Sequence, residues 1–308
     1  MNAFPDKPAP EHVSTGDEQT DGLIPPEAAD PELTRLAELN PGTFSPPETG
    51  SAPAPLLTVP SAPETRDPAW TGFDVIRLLV LGIVALFVGV GVVLLAVHLW
   101  IDPRSSIGAL GRSPVIIVAG QAVAYVLLIA YMYVLVTRER RRPDFLAAIH
   151  WNWPRNIAPY VVIGFVLSLA LQLLSHLLPM PKNLPIDTFF RTSAEAWVLT
   201  IFGITLAPLM EELFFRGFLY PVLVRGIGKS IAILCTAFCF ALLHGSQLMF
   251  AWGPVLVIFL VGMILTMVRA YTNSVAAGLL IHITYNGTIS ILMFAATDGF
   301  RHLEKLNQ

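Results

Sequence analysis

The chain has 308 residues, about twice the length of a common single domain, yet only 13% of it is charged while 54% is hydrophobic. That balance excludes a purely soluble globular protein. Charge and proline are also uneven: residues 1–70 hold 12 of the 22 acidic residues, 3 of the 19 basic ones and 14 of the 25 prolines, a net −9 against +6 for the rest.

Residues 1–70 are acidic, proline-rich and poor in aromatics. Such a segment cannot bury enough apolar surface to offset the entropy of ordering, so it is predicted as a disordered tail. It lacks the positive flank and apolar run of a cleavable signal peptide, which leaves the first span to act as its own insertion signal. Leu78–Val97 holds twenty residues without a charge, enough at 1.5 Å per residue to cross a hydrocarbon core of about 30 Å. Similar runs follow at Pro114–Val136, Ala158–Leu178, Trp197–Leu223, Ile231–Phe250, Gly253–Val268 and Val275–Ala296. The fold class expected is therefore all-α, a polytopic transmembrane helical bundle of about seven or eight spans. Its parts are the tail, a first group of membrane helices over 71–180, a second over 181–298 and a short C-terminal tail, 299–308.

All six tryptophans (Trp70, Trp100, Trp151, Trp153, Trp197 and Trp252) fall at or just outside the ends of these runs, where an amphipathic ring prefers the headgroup level. Asn183–Glu195 reads as an interfacial segment, a lid or a connector. Orientation follows from Lys and Arg in the short loops. Arg138, Arg140, Arg141, Arg142, Arg155, Arg225, Lys229 and Arg269 lie on one side, against Arg104, Arg112, Lys182 and Arg191 on the other. The richer side, with the N-terminal tail, is predicted to be cytoplasmic in an inner or plasma membrane. The basic clusters flank spans and form no nucleic-acid stripe, so no nucleic-acid partner is expected; the lipid bilayer is one.

Ionisable groups inside the last four spans are the functional signal, because a charge at bilayer depth is costly and normally faces a protein interior or a wet cavity. Span four carries Glu211, Glu212 and Arg216; span five Phe240 and His244; span seven His282 and Asn286. Glu212 and Arg216 are i, i+4 and can pair, while Glu211 is rotated about 100° away and need not share that partner. His282 and Asn286 share a face for the same reason. Pro208 removes a backbone bond to Ile204, which predicts a bend just before the carboxylates. Counted from the cytoplasmic-side charges, Glu211, His244 and His282 lie at similar depth, each roughly 20 Å along its helix, which permits one converging site.

In this order the motifs EExxxR (Glu211, Glu212, Arg216), FxxxH (Phe240, His244) and HxxxN (His282, Asn286) resemble the CPBP or Abi family of intramembrane proteases, whose best-known members are the type II CAAX prenyl endopeptidases. The resemblance covers roughly residues 197–290. It implies a peptidase acting on membrane-associated protein or peptide substrates, with CAAX-prenylated proteins as the family's best-known ones. Hydrolysis without a covalent intermediate needs a base for water, donors for the oxyanion and a proton for the leaving amine. Glu211 with His244 is assigned to activating water, His282 and Asn286 to the oxyanion, Glu212 and Arg216 to orienting the site, and Phe240 to packing against the helix of His244.

A metal stays an open alternative. Zinc accepts two histidines and a glutamate, and Glu211, His244 and His282 would be that set. The family is often described as metalloproteases, but a metal-free glutamate mechanism fits these side chains equally well. The rival readings are a proton-coupled transporter, which would show inverted repeats or paired broken helices in both halves, and a catalytically inactive membrane scaffold. The chain has no HExxH, no rhomboid-like GxSG and no presenilin-like GxGD. Elsewhere, Cys235 and Cys239 read as small interior residues, Gln121 and Gln172 as interhelical hydrogen-bonders, and Gly82, Gly89 and Gly91 as sites of close helix contact.

Overall fold

The computed structural model describes residues 68–181, 185 and 189–307. The disordered-tail expectation therefore falls almost wholly outside the described residues, as do five of the thirteen residues of the proposed interfacial segment, 183, 184 and 186–188. Among the described residues the secondary structure is helical, with no strand.

Helix α1 (Gly72–Trp100) starts where Asp74 accepts from both the backbone N–H and the hydroxyl of Thr71, at 2.8 and 2.9 Å. Asp74 is fully buried and pairs with Arg140 at 2.6 Å. That pair ties the start of α1 to the end of α2 (Pro114–Val134), which runs on as a π-turn to Glu139. Arg140, expected as a flanking charge, is thus also a cross-brace. The two helices pack along their length because Gly89 and Gly120 meet without side chains: a Cβ on Gly89 would lie 2.4 Å from the Gly120 carbonyl oxygen. Gly82 approaches Leu128 more loosely, and Gly91 has nothing within 4 Å, so only part of the glycine expectation holds.

Helix α3 (Ala158–Ser175) lies against the last helix. The fourth predicted span is a run of segments over Ser193–Ile227: α4 (Ser193–Ile204), α5 (Leu206–Glu212), a π-turn (Leu213–Leu219) and α6 (Tyr220–Ile227). Then come α7 (Lys229–Leu243), α8 (Trp252–Thr272) and α9 (Val275–Ala296). Ser274 caps α9 by accepting from the Ala277 N–H at 3.0 Å, and Asn273 ends α8 in the left-handed region. Both are the residue types that these positions favour.

Among the described residues, six helical stretches are long and apolar enough to cross a membrane, which makes this an integral membrane protein. The fifth predicted span is shorter than expected. Helix α7 stops after 15 residues, about 22 Å of rise. There the polar run His244-Gly245-Ser246-Gln247 turns into a 3-10 segment, and the Phe250 N–H folds back onto the Gly245 carbonyl at 2.8 Å. Cys239 on α7 is exposed rather than interior. Gln121 and Gln172 bond within their own helices, to the Tyr125 hydroxyl and to Ser168, because a partner one turn away costs less order than one on a neighbouring helix.

One apolar cluster joins Trp70, Leu78, Met132, Met210 and Phe218, and so packs α1 and α2 onto the segmented span. Trp70 is 1% exposed and donates from its indole to the Phe218 carbonyl at 3.0 Å. It is an anchor of the core. A second cluster, with Leu171, Val261, Leu265, Ile281 and Tyr285, binds α3, α8 and α9. The segmented span is held between these two packings.

Candidate active site

The site grows out of the break in the fourth span. Pro208 cannot donate to the Ile204 carbonyl; beside it the Thr205 hydroxyl donates to the Ile201 carbonyl at 2.6 Å while the Thr205 N–H turns to the Phe202 carbonyl at 3.3 Å. Thr205 leaves helical geometry (φ −121°, ψ −86°). The bend expected at the proline is therefore a full break one turn earlier. Just past the short α5, the π-turn begins at Leu213; such wide turns are frequent at functional sites. Glu211 and Glu212 end up between two irregularities, on a segment whose direction is set independently of α4 and α6.

Glu212 and Arg216 form the pair read from their spacing, Oε1 to Nη1 at 2.9 Å, both fully buried. The guanidinium also donates from Nη2 to the Gly262 carbonyl of α8 at 2.9 Å and lies 4.6 Å over the Phe240 ring. On its other side, Glu212 Oε1 receives His282 Nδ1 at 3.0 Å. Among the described residues Glu212 Oε2 has no hydrogen-bond partner, and it faces Gly278, where a Cβ would stand 2.8 Å from it. Gly278 is four residues before His282 on the same face of α9, so the glycine clears the space in which the carboxylate meets the imidazole.

Glu211 is not bound to Arg216. Its two oxygens divide between two helices: Oε1 lies 3.7 Å from His244 Nε2 and Oε2 3.6 Å from His282 Nε2. Both distances exceed a direct hydrogen bond. Each imidazole is held by its other nitrogen, His244 Nδ1 by the Phe240 carbonyl at 2.9 Å and His282 Nδ1 by Glu212. The Phe240 carbonyl only accepts, so His244 Nδ1 carries a proton, and the Nε2 atoms of both rings face the carboxylate of Glu211. Glu211 and His244 keep side-chain exposures of 14% and 21%, whereas His282 has 4%. The free side of the cluster is the one that solvent or a substrate can reach.

Phe240, assigned to packing against the helix of His244, lies against the His244 ring itself and under the cluster. Its ring is 4.9 Å from that of His244 and 5.9 Å from that of His282, with Phe215 edge-on at 5.2 Å. Asn286 sits one turn past His282 and donates from Nδ2 to the Gly203 carbonyl at 2.7 Å, which orients its amide against the broken end of α4. Sequence reading did not reach Gly262, Gly278 or Arg269. The four-residue spacing to His282 was the available signal for Gly278. Arg269 looked like a flanking charge but is 3% exposed. Among the described residues, no three His, Cys, Asp or Glu side chains are arranged to hold a metal ion.

Apolar helices enclosing a cluster of carboxylates and imidazoles define the class: an integral membrane protein with a polar, titratable site inside its bundle. Residues 193–288, from the first residue of α4 into α9, match the family model described as type II CAAX prenyl endopeptidase Rce1-like, so this segment is similar to that family, in line with the CPBP resemblance. No curated protein and no solved structure matches the chain.

Proposed function

We propose that the chain is an intramembrane endopeptidase that cleaves membrane-associated protein or peptide substrates with a water activated by Glu211 and His244. The observation that carries this reading is the convergence of the His244 and His282 Nε2 atoms, at 3.7 and 3.6 Å, on separate oxygens of one carboxylate free of the buried arginine. Such a carboxylate is a base whose charge is not already neutralised by a guanidinium.

Water held by Glu211 and His244 attacks the scissile carbonyl carbon as its proton passes to Glu211. His282 faces the oxyanion with Nε2 and stabilises it when that nitrogen carries a proton, and Asn286 donates with the amide N–H that does not bind Gly203. The proton on Glu211 then goes to the leaving nitrogen as the C–N bond breaks. Glu212 and Arg216 touch no reacting atom; they hold His282 by Nδ1. No step is routed through a metal. The substrates belong to the membrane-associated class acted on by the family, including prenylated CAAX segments, and the N-terminal tail is cytoplasmic.

The test is cleavage in reconstituted vesicles of two peptides, one farnesylated at a C-terminal CAAX and one carrying only an apolar membrane anchor. Glu211→Gln is expected to lower kcat by about 10²–10⁴-fold, the usual size of a general-base contribution. Full activity in that variant sinks the mechanism. Stoichiometric zinc in the purified protein, with loss of cleavage on chelation, would replace the metal-free scheme by a metal-assisted one.

A further inference from the structure

Behind the carboxylates, the π-turn cannot complete its own hydrogen bonding. The Tyr220 N–H donates to the Phe215 carbonyl, five residues back. The next donor in that register would serve the Arg216 carbonyl, and it is Pro221, which has no N–H. In a bilayer no water is at hand to take its place, so such a carbonyl must find a protein donor. It finds Arg269 of α8, whose Nε donates to it at 3.2 Å. Arg269 is itself fixed: its Nη1 donates to Asn273 Oδ1 at 2.6 Å, and Asn273 Nδ2 lies 3.1 Å from His150 Nδ1 on the loop after α2.

Arg216 is therefore gripped by α8 at two points, its carbonyl by Arg269 and its guanidinium by the Gly262 carbonyl. We propose that Arg269 is a positioning residue of the site: it fixes the backbone of Arg216 where Pro221 cannot, and through the guanidinium it sets Glu212 Oε1 against His282 Nδ1. A charge that served only to mark the cytoplasmic flank would stand in water, not at 3% exposure. The catalytic meaning of this role rests on the peptidase reading; the structural coupling does not.

The experiment uses full-length protein in lipid nanodiscs with histidine labelled at the ring nitrogens, His282 being assigned by its loss in His282→Gln. Wild type, Arg269→Gln, Arg269→Lys, the double variant Pro221→Ala/Arg269→Gln and the exposed control Arg301→Gln are compared by NMR and by cleavage of the vesicle peptides. Arg269→Gln is expected to move the His282 Nδ1 resonance and lower kcat about tenfold with KM within about twofold. Arg269→Lys keeps the charge but not the fork, and is expected to fall short of wild type in both readouts. Adding Pro221→Ala returns an N–H to the turn and should recover at least about a third of the lost kcat and the wild-type resonance.

Wild-type resonances and kcat in Arg269→Gln overturn the proposal. So does failure of Pro221→Ala to rescue, because Arg269 would then act by another route. If Arg269→Gln does not fold, wild-type values in Arg269→Lys overturn it and reduced values support it. If even the wild type cleaves neither peptide, the peptidase reading is what fails, and the His282 resonance alone decides the positioning role.

Discussion

A buried ion pair is weak support for stability unless its remaining bonds are made, yet removing one partner is costly because the other charge is left without compensation. Glu212 and Arg216 sit on that asymmetry. Arg216→Met is expected to destabilise the protein by about 3–5 kcal/mol, whereas Glu212→Gln/Arg216→Met together should cost less than Arg216→Met alone. Thermal unfolding of the three proteins in one detergent checks the order. Gly278→Ala probes the same carboxylate from the other side: its Cβ would press on Glu212 Oε2 at 2.8 Å. It should cost about 1–3 kcal/mol by overpacking and reduce kcat without a matching rise in KM, as vesicle kinetics would show. At this scale the Glu212–Arg216 pair was legible from a four-residue spacing. The approach of Glu211 to both imidazoles was legible only as similar depth, because helix tilt moves a side chain by several ångströms.

At the scale of elements, the instructive failures are where backbone hydrogen bonding departs from the α register. Pro208 was visible in the sequence, but the break appears at Thr205, where a hydroxyl competes for the Ile201 carbonyl. The π-turn had no periodic signature, since its apolar residues Leu213, Phe214, Phe215, Phe218 and Leu219 suit either register. Helix packing is easier to test. Gly120→Leu would drive a side chain into the Val90 backbone, where even a Cβ stands 2.4 Å from its Cα. It should destabilise the α1–α2 pair by at least about 1–3 kcal/mol. Gly91→Leu, with nothing within 4 Å, should be silent. Expression and melting temperature of the two variants distinguish a packing glycine from one that only lies on an apolar face.

For the molecule as a whole, the charge asymmetry and the burial of Trp70 make separate demands. Cysteines introduced at Arg141 and Arg155, in a protein lacking Cys235 and Cys239, should react with an impermeant maleimide only from the cytoplasmic side, and one at Arg104 only from the other. The reverse pattern would refute the proposed orientation. Trp70→Ala should cost about 3–5 kcal/mol, the size expected for emptying a buried tryptophan site, read as a lower melting temperature. Composition and hydropathy alone determined that the chain is a helical membrane protein, because twenty apolar residues in a row have few other stable places to go. Motif order alone pointed to the residues of the site, since ionisable groups at bilayer depth are too costly to keep without partners. Tertiary structure decided which glutamate faces the imidazoles, what lies under them and what holds the turn behind them. The contacts of Glu211 with His244 and His282 join residues 33 and 71 positions apart, and no local period in a sequence records a distance across the bundle.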